Sequence, residues 1–295
     1  MRPFFENNVL QQQPFKPMII VVDTTKAGSA SNTFVLPIIK AASETVKIYW
    51  GDGTSSMGVN GDNTHVYAAS GIYTVKIESK IFGGLYFNNG GDKAKITKIV
   101  TYGQGVSRLN ICNFYGCSSL LSIDIGDIVS NGTDASNQYR GCTALTTVPL
   151  FNLSKCTSTR SMFASCTSLT SIPLLNLSSV TNAFAMFYQC NGLTTVPLFN
   201  LSSVTNAAGM FSQCTGLTTI PLLNLSNCTN ATNMFSGVTL STTSYSDFLI
   251  NLATLPLQSG VSFHGGNSKY NVAGGVARAY IISNFGWTIT DGGAA

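Results

Sequence analysis

The sequence predicts a mainly β fold with short helices, in which a β-rich N-terminal module precedes a stack of repeated coils and a C-terminal cap. Three observations carry this prediction. A motif recurs every 24 residues between Phe114 and Val238, turn-forming glycines bracket the apolar runs before it, and the composition is that of a packed protein. With 44% hydrophobic and 9% charged residues, the chain can form a core and lacks the high net charge of a disordered segment.

The charge of the chain argues against two classes of partner. Sixteen basic residues against twelve acidic ones leave a net charge of +4, which is too weak and scattered to predict nucleic acid or an anionic membrane. No apolar run approaches the ~18 residues that span a bilayer, so we expect no membrane insertion. The longest run, Met18–Val22, predicts a strand.

Residues 1–16 contain two prolines and Gln11–Gln13 but no apolar segment of the kind that forms a signal peptide. They predict an extended arm rather than a secretory leader. We therefore expect the protein to act where it is made or to leave by a route that needs no leader, as a virus particle assembled in its host does.

The repeat unit reads M-F-x-x-C-x-x-L-T-[TS]-[VI]-P-L-[FL]-N-L-S and defines residues 114–238. An eroded copy begins at Phe114 and Tyr139, and the last copy replaces its Cys with Val238, as expected at the ends of a capped stack. One unit cannot bury its apolar face alone, so the coils must stack. The recurring positions are Cys142, Cys166, Cys190 and Cys214; Asn152, Asn176, Asn200 and Asn224; Phe163, Phe187, Phe211 and Phe235; and Thr146, Thr170, Thr194 and Thr218.

Within one unit, the pattern predicts an extended segment followed by a short helix. Leu193–Val196, Leu198 and Leu201 are expected to face inward along the extended segment. Pro197 predicts the end of a strand or a bend. A preceding Ser or Thr caps a predicted helix over Asn206–Gln213, whose Met-Phe pair faces the core.

This repeat resembles the BspA-like leucine-rich repeats of bacterial surface proteins and phage proteins, especially the variant N-x-x-x-M-F-x-x-C-x-x-L. The resemblance covers about 125 residues. It implies a leucine-rich-repeat solenoid used for adhesion or recognition, without enzymatic activity. It also implies that the recurring Asn side chains hydrogen-bond the backbone along the stack. The chain departs from many relatives in carrying Pro where they have Asp, and in its near absence of charge.

The eight cysteines allow three interpretations: disulfides, a metal site or packing. A disulfide framework needs paired spacings in a secreted protein, and a metal site needs converging ligands. One Cys per coil instead forms a ladder, and Val238 fills space in the last coil without being able to ligate anything. We interpret the ladder as small buried packing residues and expect no metal or cofactor.

Upstream of the repeats, two segments form a motif of the pattern W-G-D-G…H-x-Y…G-x-Y-T-V. Val46–Thr54 predicts a strand that enters a tight Asp-Gly turn, and His65–Ile77 predicts a Gly-broken hairpin that returns as an alternating strand. The motif resembles the polycystic-kidney-disease (PKD) type of immunoglobulin-like β-sandwich over residues 17–80. That resemblance implies a spacer or interaction domain.

The remaining segments close the two ends of the stack. Residues 81–113 predict a junction and N-terminal cap, and residues 239–295 predict a C-terminal cap. Within the C-terminal cap we expect a strand at Ser259–Phe263, a helix at Ala273–Phe285 and a final strand at Gly286–Gly293.

The distribution of titratable residues argues against catalysis. Between Ala135 and Ser246 the chain has no Asp, Glu or His. A glycosidase needs two carboxylates and a hydrolytic triad needs a His with an orienting acid. The histidines, His65 and His264, lie in separate flanking modules, and we interpret His65 as a strand residue. We therefore expect no enzymatic activity.

Three weaker alternatives remain beside these interpretations. Asp52 with Asp62 could bind calcium, although the Asp of a G-D-G turn more often caps its own backbone. The Asn-Leu-Ser sequons of the repeat are read as consensus rather than as glycosylation sites. The Thr rows, spaced by ~4.8 Å, are either a solvated face or a low-charge surface for glycans or for other subunits.

These observations favour a phage virion component: a capsid decoration, head-fibre or tail-tip protein assembled in the host cytoplasm. We expect it to be oligomeric within the assembly, to contact other virion or surface proteins through its arm and PKD-like module, and to present the solenoid to a host glycan or surface protein. The alternative is a bacterial cell-surface adhesin of the BspA-like type. A glycan depolymerase is disfavoured by the lack of carboxylates.

Overall fold

A computed structural model describes residues 16–80, 83–103, 113–124 and 132–295. Apart from Lys16, the predicted N-terminal arm lies outside these residues. Within them the protein is mainly β, with three sheets and two α-helices, which confirms the predicted fold class at this level. No helix of the described ranges is long and apolar enough to cross a membrane.

The elements are numbered in chain order. The strands are β1 (Met18–Asp23), β2 (Thr33–Ile39), β3 (Lys47–Tyr49), β4 (Ser55–Met57), β5 (Gly61–Val66), β6 (Ile72–Glu78), β7 (Gly84–Leu85), β8 (Ile96–Thr101), β9 (Ser122–Ile123), β10 (Ser262–His264) and β11 (Thr288–Thr290). The helices are α1 (Thr242–Ala253) and α2 (Val272–Phe285), with a single 3₁₀ turn at Lys93–Lys95.

The N-terminal module contains two sheets. The larger has the order β4-β3-β6-β1-β8-β9, and the smaller has the order β5-β2-β7. Every second residue of β1 and β2 is buried, as expected for strands with one face against a core. The predicted strand over Met18–Val22 is confirmed, and so is the Asp-Gly turn, which joins β3 to β4.

The predicted hairpin over His65–Ile77 is wrong. Strand β5 pairs with β2, whereas β6 pairs with β1 and β3 in the other sheet. The chain changes sheets because the Gly71 carbonyl accepts the Thr24 N–H at 2.9 Å, which directs β6 alongside β1. The two sheets also run past residue 80, since β7 and β8 complete them.

A buried ion pair fastens the loop between β1 and β2. The Asp92 carboxylate accepts hydrogen bonds from the N–H groups of Ser29 (2.6 Å) and Val35 (2.8 Å). The Lys95 ammonium lies 3.7 Å from Asp92 and donates to the carbonyl of Thr33 at 2.6 Å. Both charged side chains are buried, so each depends on the other and on these polar partners for its solvation.

The repeats stack directly on one another through every second backbone N–H. The N–H groups of Ala183, Ala185, Phe187 and Gln189 each donate, at 2.9 Å, to the following coil. The intervening N–H groups close tight turns inside their own coil, as Met186 does to the Ala183 carbonyl at 3.2 Å. Bridged residues at successive coils lie parallel: Asp134, Ser158, Asn182, Asn206 and Asn230.

The predicted helix over Asn206–Gln213 is therefore wrong. A helix would send every N–H back along its own chain, but here alternate groups are used between coils. Gly209 and Gln213 also have φ values of +62° and +61°, which a right-handed helix does not contain. The expectation that Met210 and Phe211 face the core is confirmed, because both are fully buried.

The centre of the stack is a ladder of aromatic rings. Rings of adjacent coils lie nearly parallel, and their centroids are 5.7 Å apart for Phe163's successor pair, Phe187 and Phe211. The ladder begins at Phe87, in the segment predicted as a junction, where the Phe87–Phe114 centroids are 6.0 Å apart. The predicted ring positions are confirmed as core; they are Phe163, Phe187, Phe211 and Phe235.

The C-terminal cap continues the stack before closing it. The Phe235 N–H donates to the His264 carbonyl at 3.0 Å, and β10 pairs in parallel with β11. The predicted helix and final strand are confirmed as α2 and β11, and the strand expected at Ser259–Phe263 appears as β10. Helix α1 was not predicted, although its buried Tyr245, Phe248, Leu249 and Leu252 have helical spacing.

Candidate functional site

One face of the stack, here called the Thr–Leu face, repeats the same exposed side chains on each coil. It consists of the Thr row predicted from the sequence and a row of leucines that each follow a proline. The Thr row is Thr146, Thr170, Thr194 and Thr218, and its predicted exposure is confirmed. The exposed fractions of the leucines are 62% for Leu150, 61% for Leu174, 59% for Leu198 and 51% for Leu222.

The expectation that Leu198 faces inward is wrong, and Pro197 is the reason. The Phe199 N–H donates to the Pro197 carbonyl at 2.9 Å, which closes a three-residue turn. This turn breaks the alternation of an extended strand, so Val196 and Phe199 are buried while Leu198 points outward. The bend predicted at Pro197 is confirmed. The segment Leu193–Val196 forms no regular strand in the structure.

The Thr–Leu face carries no charge over most of its length. From Ser161 to Ser246 the chain contains no Asp, Glu, Lys, Arg or His. Its C-terminal end is bordered by α1, where Leu222 and Ile250 line an open groove of about 560 Å³. Asp247 on α1 also lines this groove. The face therefore offers hydroxyl and apolar groups to a partner and has no acid–base pair along its coils.

The cysteine ladder lies inside the stack, and its thiols are used. Cys190 Sγ donates to the Phe163 carbonyl at 3.1 Å, one coil back. The same bond recurs for Cys142, Cys166 and Cys214. Burial raises the pKa of Cys166 to about 12, so its thiol stays protonated and unreactive. The packing interpretation thus gains a polar component: each thiol also satisfies the carbonyl of a core aromatic residue.

The recurring Asn residues do not bond along the stack as the resemblance implied. Asn200 Oδ1 instead accepts from the Ser202 N–H at 3.1 Å and from the Ser202 hydroxyl at 2.7 Å, within the same coil. Asn152, Asn176 and Asn224 make the same turn. This is an Asx turn, in which the side chain satisfies the backbone two residues on, so its role is to shape the corner of each coil.

Residues of the predicted PKD-like motif gather into one cluster. His65 lies between Trp50 and Tyr67, with ring centroids at 4.8 Å and 4.5 Å. The Tyr67 hydroxyl donates to the Trp50 carbonyl at 3.0 Å, and His65 Nε2 lies 2.7 Å from Asp52 Oδ2. The motif therefore encodes a packed aromatic cluster, in agreement with the interpretation of His65 as a strand residue.

The two acids proposed as a calcium alternative are placed differently. Asp52 accepts from the Thr54 N–H and hydroxyl and contacts His65. Burial raises the pKa of Asp52, but the hydrogen bonds from Thr54 and His65 outweigh this effect and lower it to about 2. Asp62 is exposed on β5, three residues before His65. In the described part of the chain no three His, Cys, Asp or Glu side chains converge as metal ligands.

A second surface feature lies on the turn side of the coils and is here called the aromatic groove. It is an open groove of about 380 Å³. One wall is formed by Phe184 and Tyr188, and the opposite wall by Asn230 and Asn233. Sequence analysis did not single out these residues. The signal was present, because Phe184 and Tyr188 depart from an otherwise regular repeat.

Comparison with known proteins identifies a relative for the repeats only. Residues 133–248 match a family described as "Mycoplasma protein of unknown function, DUF285". This family is associated with BspA-like surface repeat proteins. No curated protein and no solved structure matches the chain.

Proposed function

We propose that this chain is a non-enzymatic structural and display protein of a phage virion, serving as a capsid decoration, head-fibre or tail-tip protein. In this proposal the stacked coils are a leucine-rich-repeat solenoid of the BspA-like type. The two-sheet N-terminal module is a PKD-type immunoglobulin-like sandwich that contacts other virion proteins. The observation that carries the proposal is the Thr–Leu face, a regular, exposed and uncharged surface.

The leucine row favours a role inside an assembly. Burying a leucine fully is worth about 1.5–3 kcal/mol, so covering four that are roughly half exposed contributes on the order of 4 kcal/mol. Free association costs at least about 4 kcal/mol in lost translational and rotational freedom. The face therefore binds weakly on its own. It becomes an effective contact where neighbouring subunits are held close, because tethering raises the effective concentration.

The composition of the face supports contact rather than chemistry. Thr hydroxyls and Leu side chains supply hydrogen bonds and apolar area, whereas the coils from Ser161 to Ser246 supply no carboxylate, imidazole or cation. The cysteine thiols are buried and protonated. The proposed activity is accordingly the presentation of a surface for packing or for host recognition.

The deciding experiment is mass spectrometry of purified particles from a lysate in which the protein is expressed. The proposal expects peptides of this chain at a fixed ratio to the major capsid protein after density-gradient purification. Their absence from intact particles would refute it. Particles stripped of the protein should remain intact if it is a decoration and should lose adsorption if it is a tail-tip protein.

The contribution of the Thr–Leu face is tested by substitution in the same particles. Leu174→Ser together with Leu198→Ser removes the centre of the row at positions that are already exposed, so folding is retained. Asn191→Ser, an exposed change elsewhere on the same coil, is the matched control. We expect lower incorporation of the leucine variant alone, and equal incorporation of both variants would show that this face makes no contact in the particle.

A second candidate is a bacterial cell-surface adhesin of the BspA-like type, which is favoured by the match of residues 133–248 to the DUF285 family. It predicts that the protein is accessible on intact cells that carry no phage. Protease shaving of such cells, followed by mass spectrometry of the released peptides, separates the two candidates.

A further inference from the structure

The repeat makes departures from its pattern easy to recognise, and one coil departs on its surface. Phe184 occupies a position that is Ala208 in the next coil, and Tyr188 occupies a position that is Ser212 in the next coil. Neither aromatic ring belongs to the core ladder, and both side chains are only half buried. Two large rings therefore project from one coil beside a coil that carries small side chains.

The small residues leave open space next to the rings. Gly209 has φ +62°, and a Cβ atom built on it would meet its nearest side-chain atom, Cβ of Ser212, at 3.9 Å. The floor of the aromatic groove is therefore unfilled rather than packed. Its far wall, Asn230 and Asn233, belongs to the coil after that. Two inter-coil spacings of ~4.8 Å separate the walls, which is about 10 Å.

The Phe184 ring is held in place from the other side. The Arg160 guanidinium of the preceding coil lies 4.5 Å from the centre of the ring. The residues that line the groove come from the following coils, so the cation and the groove lie on opposite sides of the ring along the stack. A cation–π contact of this kind fixes the ring while leaving its other face available.

The lining chemistry defines the class of ligand. All the lining residues lie between Ser161 and Ser246, so none is charged, and an ionic ligand would lose its hydration without a counter-charge. Aromatic faces provide a surface for the C–H groups of a sugar ring, and the side chains of Ser212, Asn230 and Asn233 provide hydroxyl and amide groups that pair with sugar hydroxyls. The volume of about 380 Å³ falls within the range of small-molecule sites and suits a mono- or disaccharide.

We propose that the aromatic groove binds a neutral sugar, with the sugar ring stacked against Tyr188 and Phe184 and its hydroxyls facing Asn230, Asn233 and Ser212. The identification of this sugar as a unit of a host-surface glycan rests on the proposed display function. The binding itself does not, because it follows from the groove alone.

The test is saturation-transfer NMR on the full-length chain with defined probes. These are the methyl glycosides of glucose, galactose, mannose, N-acetylglucosamine and N-acetylgalactosamine, with lactose and cellobiose as disaccharides and N-acetylneuraminic acid as an anionic comparison. We expect millimolar binding of at least one neutral probe. Failure of every neutral probe to receive saturation, or stronger binding of the anionic sugar, would overturn the proposal.

The variants use residues that the protein already carries at equivalent positions. Phe184→Ala and Tyr188→Ser introduce the residues found at Ala208 and Ser212, so the stack is retained. Each should weaken the bound probe by about tenfold, since an aromatic contact of 0.5–1.5 kcal/mol and its buried area are lost. Tyr280→Ala, at an exposed tyrosine on α2, is the matched control and should bind like the parent protein.

Unchanged binding in both groove variants, with a thermal unfolding midpoint equal to that of the parent, would place the sugar elsewhere and refute the assignment. The result is independent of the virion experiment. A protein that is present in particles but binds no neutral sugar retains the proposed function and loses this inference, whereas sugar binding by a protein absent from particles does the reverse.

Discussion

The Lys95 side chain offers the sharpest test of how the N-terminal module is held together. Its ammonium is fully buried and donates to the Ser29 carbonyl and hydroxyl, both at 3.0 Å, to the Ala30 carbonyl at 2.9 Å and to the Thr33 carbonyl at 2.6 Å. Lys95→Met keeps the volume of the side chain and removes every one of these bonds. It also leaves the buried Asp92 carboxylate without its counter-charge.

The expected loss follows from the burial of the pair. Three backbone carbonyls and one hydroxyl lose a donor, each at a cost of about 1–3 kcal/mol if nothing replaces it. The loop between β1 and β2 relaxes and water enters, so these costs do not add in full. Breaking a buried ion pair by removing one partner costs about 3–5 kcal/mol. We therefore expect Lys95→Met to lower the free energy of unfolding by about 4 kcal/mol.

Asp92→Asn is expected to cost about half as much. The amide still accepts a hydrogen bond from Ser29, and the Lys95 ammonium keeps its oxygen acceptors in the loop. The double variant should be less destabilised than the sum of the two single variants, because the second substitution removes a charge that the first left unpaired. A coupling of at least about 1 kcal/mol is expected for groups in direct contact.

The assay is urea unfolding followed by the fluorescence of Trp50, in a Trp287→Phe background that removes the second tryptophan. With a slope of about 2 kcal/mol per molar urea, the midpoint should fall by about 2 M. Lys76→Met, at a lysine whose side chain is 41% exposed on β6, is the control and should cost under about 1 kcal/mol. Similar midpoints for Lys95→Met and Lys76→Met would refute the reasoning.

Three further outcomes are expected. A thiol reagent at pH 8 should modify none of the seven described cysteines in the folded protein, all of which are buried, and should modify all eight in urea; Cys112 lies outside the described residues and is the one thiol that native labelling tests without a structural expectation. The stability difference between the parent and Asp52→Asn should be complete above the ordinary pKa of 3.8 and should disappear as pH falls towards 2, because the folded-state pKa is depressed; urea midpoints across this range measure it. Phe187→Ala should cost about 3–5 kcal/mol by calorimetry while Leu198→Ala stays within about 0.5 kcal/mol, and equal losses would contradict the assigned inward and outward faces.

The parts of the fold that could be predicted are those that the repeat shows several times. Four copies of Met-Phe and Cys at a constant spacing identify the buried side of the coil, and Phe187 and Cys190 lie where this pattern requires. Substitution within the repeat adds information. Val238 in place of Cys indicates packing, and the structure adds the hydrogen bond from each ladder thiol to an aromatic residue's carbonyl.

The parts that could not be predicted depend on contacts between coils. Asn206–Gln213 has the residues of a capped helix, but carbonyls of the neighbouring coils compete for its N–H groups and win because the stacked coils are always adjacent. Leu198 has the alternation of an inward residue, but the turn at Pro197 shifts the phase by one residue. Both errors come from applying a local period where a non-local bond or a tight turn changes it.

The aromatic groove required both levels of information. The sequence shows that Phe184 and Tyr188 are unusual for the repeat, yet an unusual surface aromatic residue is not by itself a site. The site appears only when the next coil is placed beside it, with its small residues and the positive φ of Gly209. Its far wall lies two coils away, and no motif of 24 residues can contain it.

The alternating use of backbone groups between coils has a consequence for how the length of this protein can change. Each coil offers N–H groups to the coil after it and carbonyls to the coil before it, so an inserted or deleted unit of 24 residues meets the same complement on both sides. The separation of the N-terminal module from the cap can thus be adjusted in increments of ~4.8 Å without redesigning either end. Recombination between the near-identical units would generate such variants directly, and the molecule would serve as a spacer whose reach is counted in coils.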